Sequence, residues 1–442
     1  MESKNPIQVA GEVGRSLAGN IGESAFIELE LAYATRLLPR FSDDPITRVN
    51  QNVLLYWQRS YYKSTILRVF RQTIPDNLKT IDITSMSLEK IFGSIDEKRK
   101  HIIDPAFTSN VCFVIISELT ALLGRGDTMK HFADTMNYVL EGERTERRTL
   151  KLGFGEIKEE ELDMLEKKGV HYDSIEGVIW YTPNVCVFAA TRPLDNRYFT
   201  FLNTNGYFNR FHVIQYHVTN EEASLHLHKD FKLDQKALDK LKELNALLSN
   251  VKAAKISRPS EELMKPLYNA VEELVKDEIR ERKDLEFASI ITPRLKDDLI
   301  RELVAHAFVR TAFQNGFNSF DELHYTQEDV NFIGERLYHF IDFLINPSIA
   351  EEFTWMPRKN SKTSRAEKFI LELLADKKVR AGYEIVASVD NAIGCKPATA
   401  YNALKKLKTE GKICEPTYGF YKLKEDCKTC TLKDGCGMTN IH

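Results

Sequence analysis

No run of the sequence stays apolar for the ~18 residues that a transmembrane helix needs, so no membrane span is expected. The first residues, MESKNPIQVAGEVG, carry neither the basic nor the apolar region of a signal peptide. The protein is therefore expected in the cytoplasm. No segment repeats at a fixed period and no long segment is of low complexity, which excludes solenoid architectures. Cysteine is scarce, seven in 442 residues: four crowd the last 29 residues, while Cys112 and Cys186 lie in apolar runs that read as core strands. That distribution suits a reducing compartment with a metal site, not a disulfide framework. What remains, 43% hydrophobic and 28% charged residues, is enough for a sizeable core in two or three domains.

The net charge of −3 conceals an imbalance. From Pro357 to His442 there are 17 Lys/Arg and 10 Asp/Glu, which leaves +7 on the tail and −10 on residues 1–356. A basic last fifth of the chain is expected to face a polyanion.

Glycine is missing where one motif most needs it. Val53 to Phe70, VLLYWQRSYYKSTILRVF, reads as a buried strand, a tight loop and a helix that begins near Lys63 and Ser64. This is the outline of a P-loop, G-x-x-x-x-G-K-[ST], in which backbone N–H groups turn toward phosphates, Lys adds charge and Ser/Thr holds Mg²⁺. Trp57 and Tyr62 occupy the glycine positions, so the loop is expected to be reshaped or strained, since a non-glycine residue at positive φ costs ~1–2 kcal/mol.

The segments around this loop alternate between strand and helix. Residues 1–48 hold a packing helix, AFIELELAYATRLL, and Thr80 to Ile83 is a second strand. Val111 to Leu123, VCFVIISELTALL, has the form of a Walker B strand that delivers Ser117 and Glu118 to the edge of a parallel sheet. The charge that would order Mg²⁺ is replaced by Ser117, and the general base is retained as Glu118. TLKLGFGEI and GVIWYT are expected to pair as a hairpin around a charged insertion, Glu156 to Gly169, and to carry Arg147, Arg148 and Lys151. VCVFAATR, ending at Arg192, and GYFNRFHVIQY, with Arg210 at its start, supply further strands. His226 and His228 in SLHLHKD alternate as in a strand. Together these segments predict an α/β fold.

The order and wording of the motifs resemble the AAA+ motor of the minichromosome maintenance (MCM) family of replicative helicases. Against the family's G-D-P-G-T-A-K-S the chain has W-Q-R-S-Y-Y-K-S, ending at Lys63 and Ser64. The sensor-1 pattern A-A-x-N-P is A-A-T-R-P at Ala189 to Pro193. The arginine-finger segment Ser-Arg-Phe-Asp is Asn209, Arg210, Phe211 and His212. ITPRLKDDLIRELVAHA, from Ile291 to Ala307, matches the family's lid helix with Arg294 at the sensor-2 position, and T-x-E-D-V is present at Thr326 to Val330. The likeness covers roughly Ala25 to Leu344; the family's N-terminal DNA- and zinc-binding domain has no counterpart.

The resemblance implies an AAA+ P-loop NTPase core with a helical lid. ATP and Mg²⁺ would be the cofactors, and Lys63, Ser64, Glu118, Arg210 and Arg294 the catalytic residues. Ser60, Tyr61, Tyr62, Ser117 and Arg192 would lie around the nucleotide. Arg210 and Arg294 would reach a neighbouring subunit's site in a ring, expected to be a hexamer. The implied activity is an ATP-dependent DNA transaction of helicase or translocase type in replication, including that of an archaeal mobile element or virus. The alternative is a catalytically silent AAA+ scaffold that binds DNA, since the P-loop glycines, Ser117 and Arg192 depart from the family pattern together.

Domain boundaries follow: a helical segment at 1–48, the α/β core at 49–230, the lid at 231–350 and a linker at 351–363. The 364–424 region reads as helix, helix, helix and a two-stranded turn, the order of a winged helix-turn-helix. Its third helix is expected to bury Ala400, Ala403, Leu404 and Leu407 and to present Lys396, Thr399, Tyr401, Asn402 and Lys405 to DNA. The tail, 425–442, places Cys427, Cys430 and Cys436 at C-x2-C-x5-C. With Cys414 they form a small metal knuckle for Zn²⁺ or an iron–sulfur cluster; Cys395 and His442 are rivals for the fourth position.

Overall fold

The structure, a computed structural model, describes residues 4–44, 48–58, 61–83, 91–96, 101–103, 105–108, 111–122, 127–148, 158–228, 230–281, 293–345, 347–348, 362–376, 378–393, 397–409, 411–417 and 420–423. The chain forms two compact units, Met1–Glu351 and Glu352–His442.

The first unit is built on a five-stranded sheet. Its strands are β1 (Val53–Tyr56), β2 (Thr80–Ile83), β5 (Phe113–Ile116), β9 (Cys186–Thr191) and β10 (His212–Gln215), in the order β10-β1-β9-β5-β2. Every neighbouring pair is parallel. Four of the five strands are buried along their whole length. Strands of that kind need cover on both faces, and alternate residues accordingly enter two separate cores. Val53, Leu55, Phe113 and Phe188 face one; Leu54, Tyr56, Val114 and Val187 face the other.

Smaller sheets flank this one. The β3 (Ser94–Asp96) and β4 (His101–Ile103) strands pair antiparallel, and β6 (Thr145–Arg148) and β7 (Val170–Asp173) lie on either side of β8 (Val178–Tyr181). Of the expected hairpin, GVIWYT holds β8, which pairs with Thr145–Arg148, while TLKLGFGEI lies outside the described residues; the charged insertion contains a helix, Glu159–Lys167, and β7 follows it. Three acidic residues in the first turn of that helix favour it electrostatically. His226 and His228 lie on a helix, Asn220–His228, not on a strand. Glu221 and Glu222 in its first turn explain the difference, because they favour a helix start that a two-residue alternation does not reveal.

The N-terminal region is longer and more helical than expected. The Pro6–Leu37 helix opens on an Asn5–Gln8 capping box with Pro6 in the first turn. It breaks at Ala18 and Gly19, where Gly19 takes φ +64°. The two halves fold back so closely that a Cβ on Gly14 would lie 2.1 Å from the carbonyl oxygen of Gly22. The early glycines therefore serve a helical hairpin.

Helices Gln235–Leu248, Glu261–Glu281, Pro293–Gln314, Gln327–Gly334 and Leu337–Ile345 complete the unit, with a parallel pair, β11 (Ala253–Lys255) and β12 (Phe320–Glu322). In this layer His306 Nδ1 lies 2.7 Å from Asp329 Oδ1, and Arg310 donates from Nε and Nη2 to the same carboxylate at 2.9 Å each. Asp329 also caps the helix it begins, accepting from Thr326 N at 2.7 Å. Burial opposes its ionisation, but His306, Arg310 and Thr326 outweigh burial and hold it down at about 2.

The second unit packs three helices, Lys362–Leu374, Gly382–Ile393 and Pro397–Thr409, around Ile370, Ile385, Val389, Leu404 and Leu407. A three-stranded antiparallel sheet accompanies them, with β15 (Phe420–Leu423) between β13 (Arg380–Ala381) and β14 (Ile413–Thr417). Among the described residues, no helix is long and apolar enough to cross a membrane.

Candidate nucleotide site

Strand order places a crevice at one edge of the sheet. From β1 the chain crosses to the sheet edge at β2 and returns through β5 and β9 to lie beside β1 again. The next strand, β10, then lies on the other side of β1. The Lys63–Arg71 helix after β1 packs in one core and the Asn196–Thr204 helix after β9 in the other. Such a topological switch opens a crevice at the carboxyl ends of the two strands, where ligands of parallel sheets bind.

The loop after β1 turns inward. Trp57 is buried, and its indole N–H donates to the Tyr61 carbonyl at 2.8 Å. The Lys63 ammonium, 7% exposed, donates to the carbonyl oxygens of Trp57 at 2.7 Å and Gln58 at 2.5 Å and lies 5.5 Å from the centre of the Trp57 ring. Tyr62, which stands in place of the second glycine, adopts φ +59° and opens the helix with no side-chain cap. The expected strain is present at that residue. Four backbone N–H groups at any helix start lack intrahelical partners, and together with the helix dipole they form an anion site.

Aromatic side chains cover the loop. The rings of Tyr61 and Tyr62 each lie 5.5 Å from that of His226, which in turn lies 4.9 Å from Phe231. Burial lowers the His226 pKa against the opposing pull of Glu222, so the ring favours its neutral form.

Next to Lys63, Ser64 Oγ donates to the Ser117 carbonyl at 3.2 Å, which ties the helix to the end of β5. The Glu118 carboxylate accepts from Thr120 N at 3.3 Å, from the Thr120 hydroxyl, and from Thr191 Oγ1 at 3.4 Å. Thr191 pairs with Tyr56 across β1 and β9. The fold thus gathers Lys63, Ser64, Ser117, Glu118 and Thr191 at one sheet edge. The A-A-T-R-P pattern points to the half-buried Arg192, whereas the structure brings its neighbour Thr191, the polar residue that ends the buried strand, to Glu118.

Arg210 and Arg294 lie elsewhere. Arg210 lies two residues before the start of β10, where His212 pairs with Val53, and β1 is four residues, or ~13 Å, long. Its guanidinium donates to the Gly206 carbonyl at 2.6 Å and sits 2.9 Å from Glu141. Arg294 is 3.5 Å from Asp298 and lines a cleft with Phe208, Asn209, Phe211 and Val213. Arg301, on the same helix, is buried, with Nη1 donating to Asp298 at 2.8 Å and Nε to the Arg48 carbonyl at 3.3 Å. Both candidate arginines therefore stand at the amino-terminal edge of the sheet, away from Lys63.

In the second unit Ala400, Ala403, Leu404 and Leu407 are buried, Tyr401, Asn402 and Lys405 are exposed, and Thr399 is half-buried. Arg147 and Arg148 lie on β6 opposite Ile179 and Val178. Cys414, on β14, is mostly buried and disulfide-bonded. The thiolate is the metal-ligating form of cysteine, so a bonded Cys414 does not stand as the free ligand that the spacing suggested. Ser60, Lys151, Lys396, Cys427, Cys430 and Cys436, with the rivals Cys395 and His442, lie outside the described residues. Comparison with models of known protein families and with curated proteins returns no match for this chain.

Proposed function

We propose that the chain is an AAA+-type P-loop ATPase, similar to the MCM motor, that couples ATP and Mg²⁺ to a transaction on DNA. One observation carries the reading. An uncapped helix start beside Lys63 faces the switch-point crevice, with Ser64, Ser117, Glu118 and Thr191 gathered there. The residues suit the group: N–H donors and Lys63 for phosphate oxygens, hydroxyls for the hydration shell of Mg²⁺, and a carboxylate to polarise water. Bound ATP would supply the transferable phosphoryl group and much of the charge that these residues meet. Thr191 orients Glu118, and the covering tyrosines exclude solvent from the loop.

The placement of Arg210 and Arg294 on the far edge favours action on a neighbouring subunit, hence a ring. In the second unit, the succession helix, strand, helix, helix, strand, strand with an antiparallel sheet supports reading it as a winged helix. Its third helix, Pro397–Thr409, is the DNA-reading element of the proposal.

The test is equilibrium binding of labelled ATP to the purified chain, with and without Mg²⁺, in parent and Lys63→Ala. Mg²⁺-dependent binding that is lost in the variant is the expected result. No binding in the parent favours a second reading, the silent DNA-binding scaffold. That reading has its own observation: the Lys63 ammonium is already bonded to two carbonyls beneath an aromatic cover.

A further inference from the structure

Glu28, His212 and Glu302 come from three distant parts of the chain: the N-terminal helix, the start of β10 and the Pro293–Gln314 helix. One ligand atom of each lies within 4.8 Å of those of the other two. His212 Nε2 is 3.4 Å from Glu28 Oε2 and 4.0 Å from Glu302 Oε1. All three side chains are at least 97% buried. None of Glu28 Oε2, His212 Nε2, Glu302 Oε1 and Glu302 Oε2 has a hydrogen-bond partner. Arg336 pairs with the other Glu28 oxygen, and Gln51 approaches Glu302 without hydrogen-bond geometry.

Buried polar atoms left without partners are destabilising, and more so when charged. A single proton shared between the two carboxylates would join only two of these four atoms. A metal ion would meet three or four of them at once. In a tetrahedral zinc site, bonds of ~2.0–2.2 Å place ligand atoms ~3.3–3.6 Å apart. Two of the three separations, 3.4 and 4.0 Å, lie in or near this range, and the third is within 4.8 Å.

We infer that Glu28, His212 and Glu302 form a buried site for one divalent first-row metal ion of the Zn²⁺ or Mn²⁺ class, independent of the cysteine tail. Imidazole and carboxylate donors suit these ions. Held by three side chains this buried, the ion is structural. It fastens the N-terminal helix, the sheet and the long helix to each other and fixes the segment that carries Arg210, two residues before His212.

The experiment uses the full chain with Cys427→Ser and Cys430→Ser, so that a tail site cannot supply the signal. The protein is stripped with chelator, exposed separately to Zn²⁺, Mn²⁺ and Co²⁺, and assayed by elemental analysis. One equivalent is expected, and the Co²⁺ form should show weak visible bands without thiolate charge transfer. In that background Glu302→Gln should weaken binding by at least ~100-fold, since even outer-shell changes cost 10–100-fold. Gln matches the shape of a protonated Glu, so this variant should fold; His212→Gln supplies the same readout if it does not. Absence of bound metal in the Cys-substituted chain, or undiminished binding in both ligand variants, overturns the site.

Discussion

Tyr62 holds a backbone conformation that glycine would adopt without strain, and its ring helps to close the loop over Lys63. Tyr62→Gly should relieve ~1–2 kcal/mol of local strain and uncover the helix start, so ATP affinity measured by titration should rise. Unchanged affinity would show that the ring is no gate. Glu30 makes a different claim. It is fully buried with one partner, Asn245 Nδ2 at 3.1 Å, and burial pushes its pKa up to about 8. An unfolded chain releases this proton near pH 4.5. Stability is therefore complete below that pH and declines between pH 4.5 and 8, where only the unfolded state ionises. Melting curves of Glu30→Gln and parent should separate as pH rises from 5 to 8, with the variant higher at pH 8. Parallel curves would mean that Glu30 ionises freely in the folded chain. Neither residue announces this behaviour in sequence, because a backbone angle and the depth of a carboxylate arise only when distant segments pack.

At the scale of elements, the sequence was most legible where hydrophobicity is continuous. β2 falls where Thr80 to Ile83 was read, and β1, β5 and β9 lie within their apolar runs. The alternation around His226 proved helical, because a short two-residue alternation is overridden by helix-favouring charges. The gathering of Ser64, Ser117 and Glu118 was legible through motif spacing. Thr191 was not, since a single polar residue at a strand end carries no spacing signal, and the Glu28–His212–Glu302 cluster joins residues up to 274 positions apart. For the Pro397–Thr409 helix, the buried and exposed faces came directly from its period. Lys405→Glu together with Lys396→Glu should weaken DNA binding and reduce its salt slope by about one unit for each lost phosphate contact. Equal affinity across salt would make this unit a protein-binding module.

For the whole molecule, the separation of Lys63 from Arg210 by the length of the sheet makes assembly the decisive test. Lys63→Ala and Arg210→Ala chains, each inactive alone, should regain partial ATPase activity when mixed, because a finger given in trans contributes ~10³–10⁵ in rate. A mixture as silent as its components would remove the ring from the proposal. The form of any motion follows from one feature of the fold. A single continuous core contains residues of the N-terminal helix, the strands and the Pro293–Gln314 helix. Interiors packed in this way are bistable at their boundaries and stiff within. Among the described residues, the helical layer shares this core with the sheet, and the two should turn together as one lever. Work extracted from a nucleotide would then appear as rotation between neighbouring copies, with the fulcrum at their contacts.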